Sequence, residues 1–193
     1  STSPWAINDV LKRDFPEIVR STRFRTFHFL TRHKENSYYE DLGFVDPDFL
    51  DMFSFPLLQG DLDTALSSKE SVVISEKVAQ KYFRNQNPVG KILTVNNSMD
   101  LKVTGVLKNV PLNSTLQFDM LASVKLLGEG RLQTWALETQ AFVMLEKNVS
   151  LKDLRSKISG TTMKYDKRIE NKTVINDLQP ISRMHLHGLN EAG

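Results

Sequence analysis

The chain has no cysteine among its 193 residues. That excludes a disulfide framework, a thiolate nucleophile and a cysteine-built zinc site, and it fits any cellular compartment. No apolar run approaches the roughly 18 residues of a membrane-spanning helix. An excess of one charge is also missing: Lys plus Arg is 25 and Asp plus Glu is 23, a formal balance of +2. Such evenness is not the footprint of a nucleic-acid binder. The sequence holds no G-x-S-x-G elbow, phosphate loop, H-E-x-x-H helix or dinucleotide glycine fingerprint. Internal repeats, low-complexity tracts and long linkers are absent as well. The opening STSPWAIN has no initiator Met, basic n-region or apolar h-region, so the chain is expected to be a piece of something longer.

What is present is ordinary for a folded domain, with 40% hydrophobic and 25% charged residues. The length suits one sizeable domain or two small ones. The most informative stretch is 71–111, SVVISEKVAQKYFRNQNPVGKILTVNNSMDLKVTGVLKNVP. Val72, Val73 and Ile74 predict a buried strand. Ser75 is placed to cap a helix over 76–83, whose apolar face carries Val78, Ala79, Tyr82 and Phe83. Asn87, Pro88, Val89 and Gly90 form a turn in which Pro88 fixes φ and Gly90 can take a positive φ. Strands over 92–95 and 101–107 follow, joined by the polar turn 96–100.

Ser3-Pro4 reads as a helix start that ends at Phe15-Pro16. A long strand over 18–31 carries Phe24, Phe27 and Phe29 among Arg20, Arg23, Arg25 and Arg32. Basic residues interleaved with aromatics can read nucleic acid, but no RNP or OB context surrounds them. The pattern therefore predicts aromatics toward the core and arginines in solvent. A second strand over 38–44 pairs back. Asp46 is expected to cap a short helix with Pro47 at its first position, and Phe49, Leu50 and Phe53 share its core face. Residues 56–65 read as irregular, with a turn at Gly60-Asp61. The stretch 117–127 reads as buried, Gly128–Gly130 as a flexible connection and 139–146 as a strand. A capped helix begins after Ser150 and ends by Gly160, and a last strand is predicted over 173–181.

Candidate ligands are few. Asp46, Asp48 and Asp51 lack the Gly and Glu positions of an EF-hand loop. His185 and His187 would share one face of a strand, the geometry of two metal ligands, but His28 and His33 lie far off in sequence. Asp61 and Asp63 sit in a loop with no sign of burial. N-x-Ser/Thr matches at Asn96, Asn113, Asn148 and Asn171 arise easily by chance.

The succession VVISEKVAQKYF, NPVGK and KVTGVLKNVP, preceded by FVDPDFLDMFSFPLLQGD, resembles the extracytoplasmic domain of MacB/FtsX-like ABC transporter permeases. The residues carrying that resemblance are Asp46, Pro47, Phe49, Gly60, Phe83, Asn87, Pro88, Gly90, Lys91 and Gly105, and their role is structural. The resemblance implies an α+β fold: a porter-like α/β subdomain, 1–55 with 131–193, and an inserted, mainly β, sabre-like subdomain, 56–130. It implies a membrane helix on each side, both chain ends at one membrane surface, and a membrane-proximal, structural place for His185 and His187. It further implies a non-catalytic periplasmic domain of the bacterial inner membrane with no cofactor of its own, ATP being used by a cytoplasmic ATPase partner. Other implied partners are a second permease copy or homologue and a periplasmic or outer-membrane protein, with no nucleic acid. The rival reading is a periplasmic ligand-sensing domain of a membrane receptor. A secreted hydrolase fits least, for want of a nucleophile and base.

Overall fold

A computed structural model describes residues 3–133, 135, 138–165 and 178–181. In chain order these form β1 (Ser3–Pro4), α1 (Ile7–Asp14), β2 (Ile18–His33), β3 (Asn36–Val45), α2 (Phe49–Phe53), β4 (Leu57–Gly60) and β5 (Ser71–Ser75). There follow α3 (Glu76–Phe83), β6 (Ile92–Val95), β7 (Met99–Leu107), β8 (Met120–Ser123) and a 3-10 turn (Val124–Leu127). The described chain ends with α4 (Glu129–Leu132), β9 (Glu138–Leu145), α5 (Leu151–Ile158) and α6 (Thr161–Tyr165).

One mixed sheet takes in all these strands. Its pairings close on themselves: β2 pairs β3, β3 pairs β8, β8 pairs β5, β5 pairs β7, β7 pairs β6, and β6 returns to β2 through Thr31↔Val95 and Arg32↔Thr94. The β3–β8 and β5–β7 pairs are parallel and the others antiparallel. Two strands extend the ring: β4 continues the β7 edge beyond β6, and β9 pairs the first half of β2. The sheet takes strands from both expected subdomains, 1–55 with 131–193 and 56–130, since β3 pairs β8 from Leu42↔Met120 to Val45↔Ser123.

Period-two alternation sorts the side chains. Phe44, Val72, Ile74, Leu93, Val95, Leu101, Val103 and Met120 fill the inside of the ring, closed at one end by Val78, Tyr82 and Phe83 of α3 and reached by Trp5. Val45, Val73, Leu107 and Leu121 point outward and lie under an aromatic layer of Phe49, Phe53, Phe55 and Phe118. Both faces of β5 are thus buried, which accounts for its unbroken apolar run. A third cluster joins Ile7 and Leu11 of α1 to Ile18, Leu154 and Ile158.

The 71–111 unit folds as its pattern predicts, and the Ser75 hydroxyl accepts from the Val78 backbone N–H. The strand 139–146 and the Ser150-capped helix are also found. Elsewhere the structure corrects the reading. Ser3-Pro4 pairs with β9 as a strand, and α1 starts only at Ile7 with Ala6 at its cap position. The stretch read as irregular contains β4, because the free edge of β7 beyond β6 needs a partner. Gly130 lies inside α4. Phe24 points to the opposite side of the sheet from Phe27 and Phe29. Arg23 is buried, not in solvent, and Asp46 does not cap α2: its carboxylate is taken by Arg23. Residues 173–177 of the last predicted strand, both chain ends, Asn171, His185 and His187 lie outside the described residues. Residues 178–181 carry no strand.

Two predictions follow from the packing. Phe83 is buried among the ring residues, with the His33 ring centred 4.6 Å away. Phe83→Ala should therefore lower the unfolding free energy by ~3–5 kcal/mol in a urea melt. Gly60 has φ +97°, and a Cβ there would sit 2.3 Å from the Thr104 carbonyl oxygen, whereas Gly90, φ +87°, faces open space. Gly90→Ala should carry only the left-handed backbone cost of roughly 1–2 kcal/mol. Gly60→Ala should cost clearly more in the same melts, because main chain has to move.

Candidate functional site

The Phe24↔Val45 pairing sets Asp46, the next residue out, beside Arg23. Asp46 Oδ2 accepts from the Arg23 backbone N–H at 2.7 Å and from Nε at 2.9 Å, while Oδ1 accepts from Nη2 at 2.6 Å. From the other side, Nη1 donates to the Trp5 carbonyl and to Asp9 Oδ2, both at 3.1 Å, and Nη2 donates to Asp9 Oδ1 at 3.3 Å. Every N–H of the guanidinium is engaged, a match that lysine, with a single point charge, cannot make. Thr22 Oγ1 accepts from the Asp46 N–H at 3.2 Å and fixes the corner.

Burial is the largest influence on Arg23 and works against its charge. The hydrogen bonds and charge of Asp46, then those of Asp9, outweigh it and leave the pKa above the ordinary arginine value. The side chains are 3% (Arg23), 13% (Asp46) and 60% (Asp9) exposed. The clamp therefore has an inner half built into the ring wall and an outer half, open to water, that holds α1. One permanently charged guanidinium is shared between two carboxylates, an arrangement suited to fastening.

A second buried charge stands near α3. Glu40 of β3 is 1% exposed and meets Lys81 Nζ at 2.6 Å and the Tyr82 hydroxyl at 3.0 Å. That hydroxyl also faces the Thr31 carbonyl at 3.1 Å. Burial first, then the Glu40 charge, pushes the Tyr82 pKa up, so the phenol stays a donor. Glu40 Oε2 and Thr31 Oγ1 have no hydrogen-bond partner among the described residues. Lys81 lies over the Tyr38 ring, 5.1 Å from its centre.

The residues singled out in the sequence fall into three separate places. Asp46, exposed Pro47 and Phe49 form the corner after β3, where the Phe49 ring stacks on Phe24 at 5.6 Å. Gly60 and Gly105 pair across β4 and β7, where main chains approach too closely for a side chain. Phe83, Asn87, Pro88, Gly90 and Lys91 shape the passage from α3 to β6. There Asn87 Oδ1 accepts from the Val89 N–H at 3.0 Å, Lys91 N–H donates to the Pro88 carbonyl at 3.0 Å, and Gly90 N–H donates to the Val103 carbonyl at 2.8 Å. No single cleft gathers the three groups.

Sequence reasoning missed Arg23, Asp9, Glu40 and Lys81. A signal existed for two of them. Arg23 shares its parity with Phe27 and Phe29, and Glu40 shares its parity with Leu42 and Phe44, so each is a charge on an inward position. Among the described residues, no group of three or more His, Cys, Asp or Glu is placed to hold a metal, and no helix is long and apolar enough to cross a membrane. An apolar-lined cavity of about 420 Å³ lies between β9 and residues 178–181.

Residues 1–161 match the sequence model of the MacB-like periplasmic core domain. Among solved structures, a domain of a provisionally named permease from Porphyromonas gingivalis superposes with a TM-score of 0.80 at 24% identity, covering 96% of this chain and 82% of that one. The periplasmic region of MacB from Actinobacillus actinomycetemcomitans gives 0.67 at 18% identity, with 91% and 79% covered. The extracellular domain of the noncanonical ABC-type transporter YknZ from Gram-positive bacteria gives 0.64 at 19% identity, with 92% and 89% covered. No curated protein sequence matches significantly. The fold is that of these extracytoplasmic domains, and the chain belongs to the MacB-like periplasmic core domain family of ABC transporter permeases.

Proposed function

We propose that this chain is a non-catalytic coupling domain: ATP hydrolysis at a cytoplasmic ATPase drives the membrane helices of the permease, and the domain carries the resulting movement outside the membrane, for export or signalling. The family match over residues 1–161 carries this reading. Supporting it, the best-buried ionic groups, Arg23 and Glu40, serve as fasteners between elements and not as an acid and base facing a cleft. In this reading the domain works at the periplasmic face of the inner membrane and binds no cofactor. Its partners are a second permease copy or homologue, the ATPase, and a periplasmic or outer-membrane protein. Residues 1–55 with 131–193 act as the porter-like part and 56–130 as the inserted sabre-like part, stiffly joined by the shared sheet.

These 193 residues contain no cysteine, so in a permease and ATPase whose other cysteines are replaced an introduced thiol is the only labelling site. Leu112 is 98% exposed. In the full permease with its ATPase in lipid nanodiscs, spin labels on Leu112→Cys in two copies should give different distance distributions in the nucleotide-free and ATP-trapped states. Superimposable distributions would count against coupling. ATP turnover by the purified chain, in step with its own elution profile, would overturn the non-catalytic assignment.

A further inference from the structure

We propose that α1, with β1, is a latch that detaches from the ring as a unit while the ring stays closed. The proposal deepens the coupling reading, naming the seam at which movement of the N-terminal segment would enter the domain.

The seam is held by unlike contacts. Trp5 is fully buried, and its carbonyl and the Asp9 carboxylate complete the Arg23 clamp. Asp9 is mostly in water, so its half of the clamp is the weaker one. Loss of α1 would still leave Arg23 with both Asp46 oxygens, and water would replace Trp5 and Asp9. The wall charge is thus never stranded by the opening.

The same seam also carries a built-in penalty. Asn8 is on the buried face of α1, and Ser21 is on the face of β2 that Arg23 shares, two residues along. Asn8 Oδ1 and Ser21 Oγ are both buried without a hydrogen-bond partner among the described residues. Buried polar atoms left unpaired disfavour the closed state, and opening returns them to water. Closed packing here is therefore less favourable than its apolar contacts suggest, whereas the strands of the ring are bonded to neighbours all the way round. A low-stability unit beside a high-stability one can open alone.

Hydrogen–deuterium exchange on the purified chain tests this without ATPase or membrane, so its result is separate from that of the coupling experiment. In the parent, amides of α1 should exchange faster than those of β5, β7 and β8, and by an opening whose denaturant dependence is smaller than that of the ring strands. Asp9→Asn should speed α1 exchange by roughly threefold and leave the ring strands unchanged. Ser21→Ala, which removes an unpaired hydroxyl, should slow α1 exchange by a few-fold with the ring again unchanged. The latch is overturned if α1 and ring amides exchange together in the parent. It is overturned equally if Asp9→Asn accelerates both alike, or if Ser21→Ala speeds α1 exchange or leaves it unaltered.

Discussion

The return of β6 to β2 is the constraint on which the rest of this domain depends. Val95 and Thr94 pair with Thr31 and Arg32, the Asn96 N–H donates to the Leu30 carbonyl at 2.8 Å, and these few bonds turn an open sheet into a ring. Closure separates an inside from an outside and removes edges that would otherwise need covering. It decides why Val72 and Ile74 meet Leu93 and Met120 while Val73 meets the phenylalanine layer. The turn geometry before β6 serves that closure. Gly90 in the left-handed region, and the paired bonds of Gly90 and Lys91 with Val103, deliver the short strand into register.

Local pattern made the 71–111 unit legible because each of its signals is short-range. A β-branched run, a serine cap, an apolar helical face and an Asn-Pro-Val-Gly turn all act within a few residues. The same holds for β9 and the Ser150 cap. What was not legible is set by distant partners. Ser3-Pro4 has good helix-start chemistry, but pairing with Thr139 and Glu138 overrides it. The stretch after Pro56 has no clear alternation and becomes a strand because β7 offers an edge there. Asp46 is a sound cap by local rules, and Arg23 outbids the helix N-terminus for its carboxylate.

The missed charges share a cause. A strand with aromatics and arginines at intervals invites a two-sided reading, apolar inside and basic outside. β2 is covered differently along its length. Its first half lies between α1 and the aromatic layer, while Arg25 and His28 further along are exposed. One face of one strand therefore holds both a buried arginine and the half-buried Phe27 and Phe29. Parity identifies such positions, and only the partners, Asp46 for Arg23 and Lys81 for Glu40, explain why a charge is tolerated there.

The two buried charges also explain why the ends of the ring are not equivalent. Each fastens a helix to the wall, α1 through Arg23 and α3 through Glu40. Separating α3 would remove both the Lys81 ammonium and the Tyr82 hydroxyl from Glu40, leaving a wall carboxylate with no charged partner and one oxygen already unpaired. It would expose Phe83 and Val78 of the ring interior, as departure of α1 with β1 would expose Trp5 of the same cluster. Arg23, by contrast, keeps Asp46 in the wall when α1 departs. The α1 fastener thus keeps a charged partner in the wall when its helix is removed, and the α3 fastener does not.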